Sequence, residues 1–295
     1  MSYQSCTQFD LVCNINHDIQ ILRQWFTKHK LVISSKTRLM FHSLSSSEAP
    51  NVDISYHDPT CKKFNICANM STPFSNDIEC SSNCFKIEKV EHFKYLGVIL
   101  DNKFNWLLHT NTLKIYLRST LRKFYQLQKI CSQKLLKIFY YAIFHSKLMY
   151  GITCWGGSYA NKLQPLIVLQ KNVIRKLCNV HRTYPSHNLF KLLQILPVRH
   201  LYFFKTLKTF FINFQQSINV PPAQLRQRRF LNVQVPIFRT TVYRNSYPIL
   251  SCRLFNSLPS NIQSINTKNL FLSKVKSWLL NFNSVQVESL LHPIV

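Results

Sequence analysis

The sequence predicts an α+β fold, predominantly α: a small sheet in the first hundred or so residues, then a helical bundle and a small C-terminal unit. Three observations predict it. Apolar residues recur at helical spacing from Leu107 onward, whereas short runs of β-branched and aromatic residues lie before that point. The four glycines, Gly97, Gly151, Gly156 and Gly157, all sit where one element would hand over to the next. The charge texture also changes abruptly: from Asn102 to Val287 there is no aspartate or glutamate, against 27 lysines and arginines.

Each element has its own signal. Leu11, Ile15, Ile19, Leu22 and Phe26 give Phe9–Lys28 an amphipathic helical stripe. Leu31–Ile33 and Leu39–Phe41, around Ser34-Ser35-Lys36-Thr37, predict two short strands and a turn. Leu44 to Asn83 is rich in Ser, Asn, Asp and Pro, carries five of the eleven acids and reads as a long surface insertion. Strand character returns over Phe85–Leu100. After it, Leu113, Leu117, Leu121, Phe124 and Leu127 predict a helix from about Leu107 to Lys129. Further helices are expected over Ser132–Leu148, Asn161–Cys178, Leu189–Leu196, Leu201–Phe214 and Leu270–Leu280. Pro221-Pro222 and Arg226, Arg228 and Arg229 mark a linker, and Tyr247–Leu280 a last small unit. The expected division is residues 1–101 with the insertion 44–83, then 102–182, then 183–295.

Composition bounds the function. Hydrophobic residues make up 46% and aromatics 13%, too many for a disordered basic tail. The net charge of +26 arises mainly from scarce acid, since charged residues total only 16%. Uncompensated charge of one sign repels itself, so an anionic partner, nucleic acid first and a membrane surface second, is expected to stabilise the chain. The acid-free stretch cannot supply the converging carboxylates that two-metal phosphoryl transfer requires. Leu135–Phe144 and Leu201–Phe214 are the most apolar segments, but both contain lysine and neither is long enough to span a bilayer, so no integral membrane association is expected. Met1–Asp10 is polar and unlike a signal peptide, and the ten cysteines read as reduced intracellular thiols. His57, Cys61, Cys67, Cys80 and Cys84 form a weak zinc candidate, since their spacings are not the paired C-x2-C of zinc ribbons. Leu201 to Phe214, aromatic and basic, admits a membrane-surface or base-stacking role but is expected to be a core helix with its lysines outward.

Four segments together carry a family likeness. Phe93-Lys94-Tyr95-Leu96-Gly97-Val98-Ile99-Leu100-Asp101, followed by Trp106 and His109, resembles the KYLGVxLD…W…H signature of non-LTR retrotransposon reverse transcriptases, the jockey-like elements of animals in particular. Lys30 to Phe41, with Ser35-Lys36-Thr37, resembles the family's KLxLNxSKTxxMxF segment. Tyr150-Gly151-Ile152 with Trp155-Gly156-Gly157, then Leu169-Gln170-Lys171 with Ile174-Arg175, is similar to YGI..WG…LQKxxIR. Leu254-Phe255-Asn256-Ser257-Leu258-Pro259 is similar to a C-terminal xxWNxLP with Phe for Trp. The family's Tyr-Ala-Asp-Asp box, expected just upstream of Phe9–Lys28, is missing, and Asp10 and Asp18 match neither catalytic position.

The resemblance implies the last palm elements over 1–101, a helical thumb over 102–182 and a connecting helical region over 183–295. It implies that Lys36 lies near the incoming nucleotide and that Lys94 and Tyr95 lie near the primer end, where they contact phosphate and sugar. It also implies a basic thumb edge of Lys114, Arg118, Arg122, Lys129, Lys134, Lys137, Lys171, Arg175 and Lys176 along a duplex, reading backbone and shape. For Lys36 the plain alternative is a solvated turn lysine. The hairpin at Phe93–Leu100 can equally present one core face and one contact face.

The expected function is a fragment of an RNA-directed DNA polymerase that binds template–primer or RNA and is catalytically incompetent alone. Its partners would be RNA or an RNA–DNA template–primer and the missing N-terminal part of the polymerase. No cofactor is expected on this chain, with Mg2+ only in a complete polymerase, and the setting would be a cytoplasmic or nuclear ribonucleoprotein. A non-enzymatic nucleic-acid or membrane-surface interaction protein derived from a retroelement, or a decayed reading frame, stands as the alternative.

Overall fold

The computed structural model describes residues 8–42, 54–56, 84–217, 233–237 and 241–291. The chain is mostly helical with small two-stranded sheets, an α+β fold dominated by α. It forms two compact units, Met1–Asn105 and Trp106–Val295.

The first unit opens with α1 (Gln8–Lys28). Its strands are short: β1 (Arg38–Leu39) pairs parallel with β4 (Glu88–Lys89), and β2 (Ser55–Tyr56) antiparallel with β3 (Phe85–Lys86). β5 (His92–Tyr95) and β6 (Val98–Asp101) form a hairpin with Tyr95 opposite Val98. Its buried core is small, with Ile15, Ile54 and Ile87 at the centre and Ile19, Leu39, Phe41 and Phe85 against them. Two expectations need correction. Leu31–Ile33 is no strand: Leu31 and Val32 are exposed, and Arg38–Leu39 finds its partner fifty residues away, where Arg38 Nε also meets Glu88 Oε2 at 3.0 Å. Nor is the insertion wholly irregular, because Ser55-Tyr56 joins a ladder and Ile54 is buried; most of the remainder lies outside the described residues.

The second unit packs around one core. It contains α2 (Leu107–Leu127), α3 (Gln133–Phe139), a π-helical stretch (Tyr140–His145), α4 (Ser146–Met149), α5 (Ile152–Trp155) and α6 (Ala160–Leu177). These are followed by α7 (Ser186–Leu193), α8 (Val198–Ser217), α9 (Thr241–Arg244), α10 (Tyr247–Asn256), α11 (Ser260–Gln263), α12 (Lys268–Asn281) and α13 (Ser284–Leu291). α2 lies along α6, and α8 runs through the middle, touching α5, α6, α10 and α12. The core is continuous from Leu113 to Val287, so position 183 marks no gap in packing.

Local chemistry explains these elements. Leu113, Leu117, Leu121 and Phe124 of α2 are buried at the expected spacing, each contributing about 1.5–3 kcal/mol. The helix expected over Ser132–Leu148 starts at Ser132, whose Oγ accepts from the Leu135 N–H at 3.5 Å. Its π-helical middle widens the turn, and Leu136, Tyr140, Phe144 and Leu148, each four residues apart, are all buried. Gly151, at φ 61°, supplies the left-handed turn into α5. Leu201–Phe214 is indeed a core helix: Leu201, Tyr202, Phe203, Leu207 and Phe211 are buried, and Lys205 and Lys208 lie at its half-exposed flank. The expected linker around Pro221-Pro222 lies outside the described residues.

Candidate nucleic-acid interface

A groove of about 660 Å³ runs along the second unit between α2 and α6. On the α2 side stand Lys114, Arg118, Leu121 and Tyr125, all within one helical face. On the other side α6 presents Asn161, Gln164, Asn172, Arg175 and Lys176, and the following loop adds Arg182. Lys114 to Tyr125 spans about 17 Å of helix axis at 1.5 Å per residue. At roughly 3.4 Å per phosphate on one strand, that is room for about five backbone charges.

Two of these cations are held in place. Arg175 donates from Nε to the Tyr184 carbonyl at 2.9 Å and from Nη1 to Asn172 Oδ1 at 3.3 Å. Lys176 Nζ lies 4.4 Å from the centroid of the Tyr125 ring, a cation–π contact that bridges the two helices. The Gln128 amide donates to Asn179 Oδ1 and ties the end of α2 to the end of α6. With no acid anywhere from Asn102 to Val287, no carboxylate from this stretch neutralises the groove. Positioned cations and amides without counter-charge are suited to a phosphate backbone.

The structure divides the residues expected at this edge. Lys114, Arg118, Arg175 and Lys176 line the groove, while Arg122 is exposed on α2 outside its walls. Lys129 and Lys134 are exposed beyond the end of α2, and Lys137 of α3 lies near Lys276, whose pKa is lowered by burial and then by Lys137. Lys171 lines a different, smaller cavity. Tyr125, Asn161, Gln164, Asn172 and Arg182 are the groove residues that sequence reasoning passed over. Tyr125 carries a legible signal, being one turn beyond Leu121 on the same stripe, whereas Arg182 sits in a loop that periodicity does not describe.

In the first unit Lys36 is exposed in the turn Ser34–Thr37, where the Thr37 N–H donates to the Ser34 carbonyl at 3.0 Å. Lys94 and Tyr95 are exposed on β5, but so are His92 and Phe93, so neither face of that strand is a core face. Asp101 acts as a turn residue: its Oδ1 accepts from the Lys103 and Asn105 N–H groups at 3.2 and 2.7 Å.

The motif residues of the second unit are joints. Trp155 is fully buried, donates from Nε1 to the Tyr150 carbonyl at 3.1 Å and packs against buried His109. Gln170, equally buried, donates from Nε2 to Tyr140 Oη at 2.9 Å and to the Leu196 carbonyl at 3.0 Å, and accepts the Val198 N–H at 3.0 Å. Asn256 exchanges two hydrogen bonds of 2.9 Å with the Val233 backbone. His57, Cys61, Cys67 and Cys80 lie outside the described residues, and Cys84 is half-buried beside β3. Among the described residues no three His, Cys, Asp or Glu side chains gather as metal ligands, and no helix is long and apolar enough to cross a membrane. Comparison with protein-family models, curated proteins and solved structures returns no match.

Proposed function

We propose that this chain is the thumb-side part of a non-LTR retrotransposon reverse transcriptase, holding the backbone of an RNA–DNA template–primer or a structured RNA and performing no phosphoryl transfer by itself. The observation that carries the reading is the α2–α6 groove, with Lys114, Arg118, Arg175, Lys176 and Arg182 on its walls in a stretch without a single acid. The motif likeness from Lys30 to Pro259 supports the family, and the absence of a Tyr-Ala-Asp-Asp box from residues 1–295 supports the lack of catalysis. The groove recognises charge and shape, so binding is sequence-tolerant and driven by counterion release. The membrane-surface alternative loses its best segment, since the aromatic side chains Tyr202, Phe203 and Phe211 are buried.

The test is fluorescence anisotropy of labelled RNA–DNA duplexes of unrelated sequence across a salt series. Affinity is expected to fall steeply with salt and to vary little with sequence. Each cation removed in Lys114→Ala and Arg118→Ala should lower the salt slope by about 1. An unchanged slope in the double variant removes the groove assignment, and primer extension by this chain alone with Mg2+ overturns the non-catalytic part.

A further inference from the structure

Phosphate contact accounts for the cations of the α2–α6 groove but not for the side chains between them. Tyr125 and Val168 line the same groove and are 48% and 44% exposed. Leu121 and Leu169, both nearly buried, add apolar surface deeper in, and the amides of Asn161 and Gln164 are exposed along one wall. A nucleic-acid backbone lying on the rims would meet the cations and leave Tyr125 and Val168 in water.

The shape of the groove points the same way. α2 and α6 pack directly against one another, and packed helices lie about 8–10 Å apart, axis to axis. The space between their side chains is too narrow for a duplex to enter, whereas a single strand can. Tyr125 meets Lys176 and Gln128 meets Asn179, so the two helices run in the same direction with one offset. Lys114 and Arg118 therefore stand about level with Gln164 and Val168: cations on one wall, an amide and an apolar side chain on the other. Lys114 and Arg118 are one turn apart, about 6 Å along the axis, a step that neighbouring phosphates of an extended strand can follow.

We propose that the groove binds an unpaired stretch of nucleic acid, with its phosphates along Lys114 and Arg118, its bases turned inward and one base stacked on Tyr125. Base faces cover Tyr125 and Val168 whatever the sequence. The ammonium of Lys176 at the Tyr125 ring places a charge beside the stack. Asn161 and Gln164 each carry a donor and an acceptor, which suits the edge of any base. Binding stays sequence-tolerant but becomes selective for strand state. In a template–primer the occupant is the unpaired template overhang, and in a structured RNA it is a loop. This occupancy rests on the proposed function, in which the groove is the nucleic-acid face of the chain.

The experiment is fluorescence anisotropy of the full chain with labelled oligo(U) and with a blunt RNA–DNA duplex of equal phosphate number. Charge alone favours the duplex, whose phosphates are more closely spaced and release more counterions. The expected result is the reverse, with oligo(U) bound at least about tenfold more tightly and the duplex gaining affinity when an oligo(U) extension is added. Affinity for oligo(U) no higher than for the blunt duplex overturns the proposal and leaves the thumb reading standing; binding of neither probe removes both. Tyr125→Ala should weaken oligo(U) about tenfold and the blunt duplex far less, and Tyr125→Phe, which keeps the ring, should restore oligo(U) binding. Equal losses for the two probes, or no recovery with phenylalanine, overturns the stacking. If Tyr125→Ala does not fold, Val168→Ser, at an exposed position of the facing wall, should weaken oligo(U) more than the duplex, and equal losses again overturn the proposal. Lys114→Ala with Arg118→Ala should weaken both probes, and a loss confined to neither removes the thumb reading itself.

Discussion

Three single residues show how tightly the fold is specified. A Cβ on Gly156 would lie 2.5 Å from the Ile152 carbonyl oxygen and 2.6 Å from the Tyr202 ring, both fixed in the core. Gly156→Ala is therefore expected to cost about 1–3 kcal/mol, read by urea unfolding. Gln170 satisfies three buried partners from two other parts of the chain, Tyr140 and the segment Leu196–Val198. Gln170→Leu keeps the volume but strands the Leu196 carbonyl and the Val198 N–H, and should cost about 2 kcal/mol or more in the same measurement. Leu96 behaves oppositely. It is exposed with φ 45°, next to Gly97 at φ 83°, the two positive angles that a type I′ hairpin turn requires. Leu96→Asn should stabilise the first unit by up to about 1 kcal/mol, and a lower midpoint than the parent would argue against the turn.

At the scale of elements, α2 carries a conflict between stability and charge. Lys114 and Arg118 are four residues apart and repel, costing a few tenths of a kcal/mol. Lys114→Glu turns that pair into an attraction and adds an acid to the groove. The expected outcome is a slightly higher midpoint of thermal unfolding together with weaker duplex binding; loss of stability with unchanged binding would refute the assignment of this helix. The strands show the limit of local signals. Leu31–Ile33 has the composition of a strand but no strand partner among the described residues, whereas Ser55-Tyr56, in a segment of loop composition, has one. Strand formation depends on what lies alongside, and a segment's own composition does not reveal it.

For the whole molecule, a net charge of +26 makes stability depend on solution conditions. A polyanion that binds only the folded chain should raise the unfolding midpoint in a concentration-dependent way, and salt should reduce the gain. Acid should act through buried histidines. His145 is held at about 4 by burial and then by Lys276, and His200 at about 4 by burial, opposed by the Phe282 hydrogen bond and reinforced by His187. Unfolded, each titrates near 6.5. Between 6.5 and about 4 the unfolded chain takes up protons that the folded chain refuses, so stability is full above 6.5 and falls through that window. Below about 4 these two groups cause no further loss. A midpoint independent of pH from 6.5 to 4 would show that neither ring is buried neutral.

The sequence by itself determined the helices, because an apolar stripe of period 3.6 is a local property: α2, α6 and α8 lie where their leucines and phenylalanines put them, within a few residues. It also determined the absence of acid from Asn102 to Val287, on which the proposal of an anionic partner rests. Tertiary structure decided which cations act together. Lys114, Arg118, Arg175 and Lys176 share a groove, while Lys171, four residues from Arg175 on the same helix, belongs to another cavity. It decided that Tyr125 and Arg182 join the first group and that the tryptophan, glycine and glutamine of the motifs serve as joints. Helical periodicity records which face of a helix is apolar; which element that face meets is a long-range choice made by packing, and the grooves arise only where two such choices leave a gap.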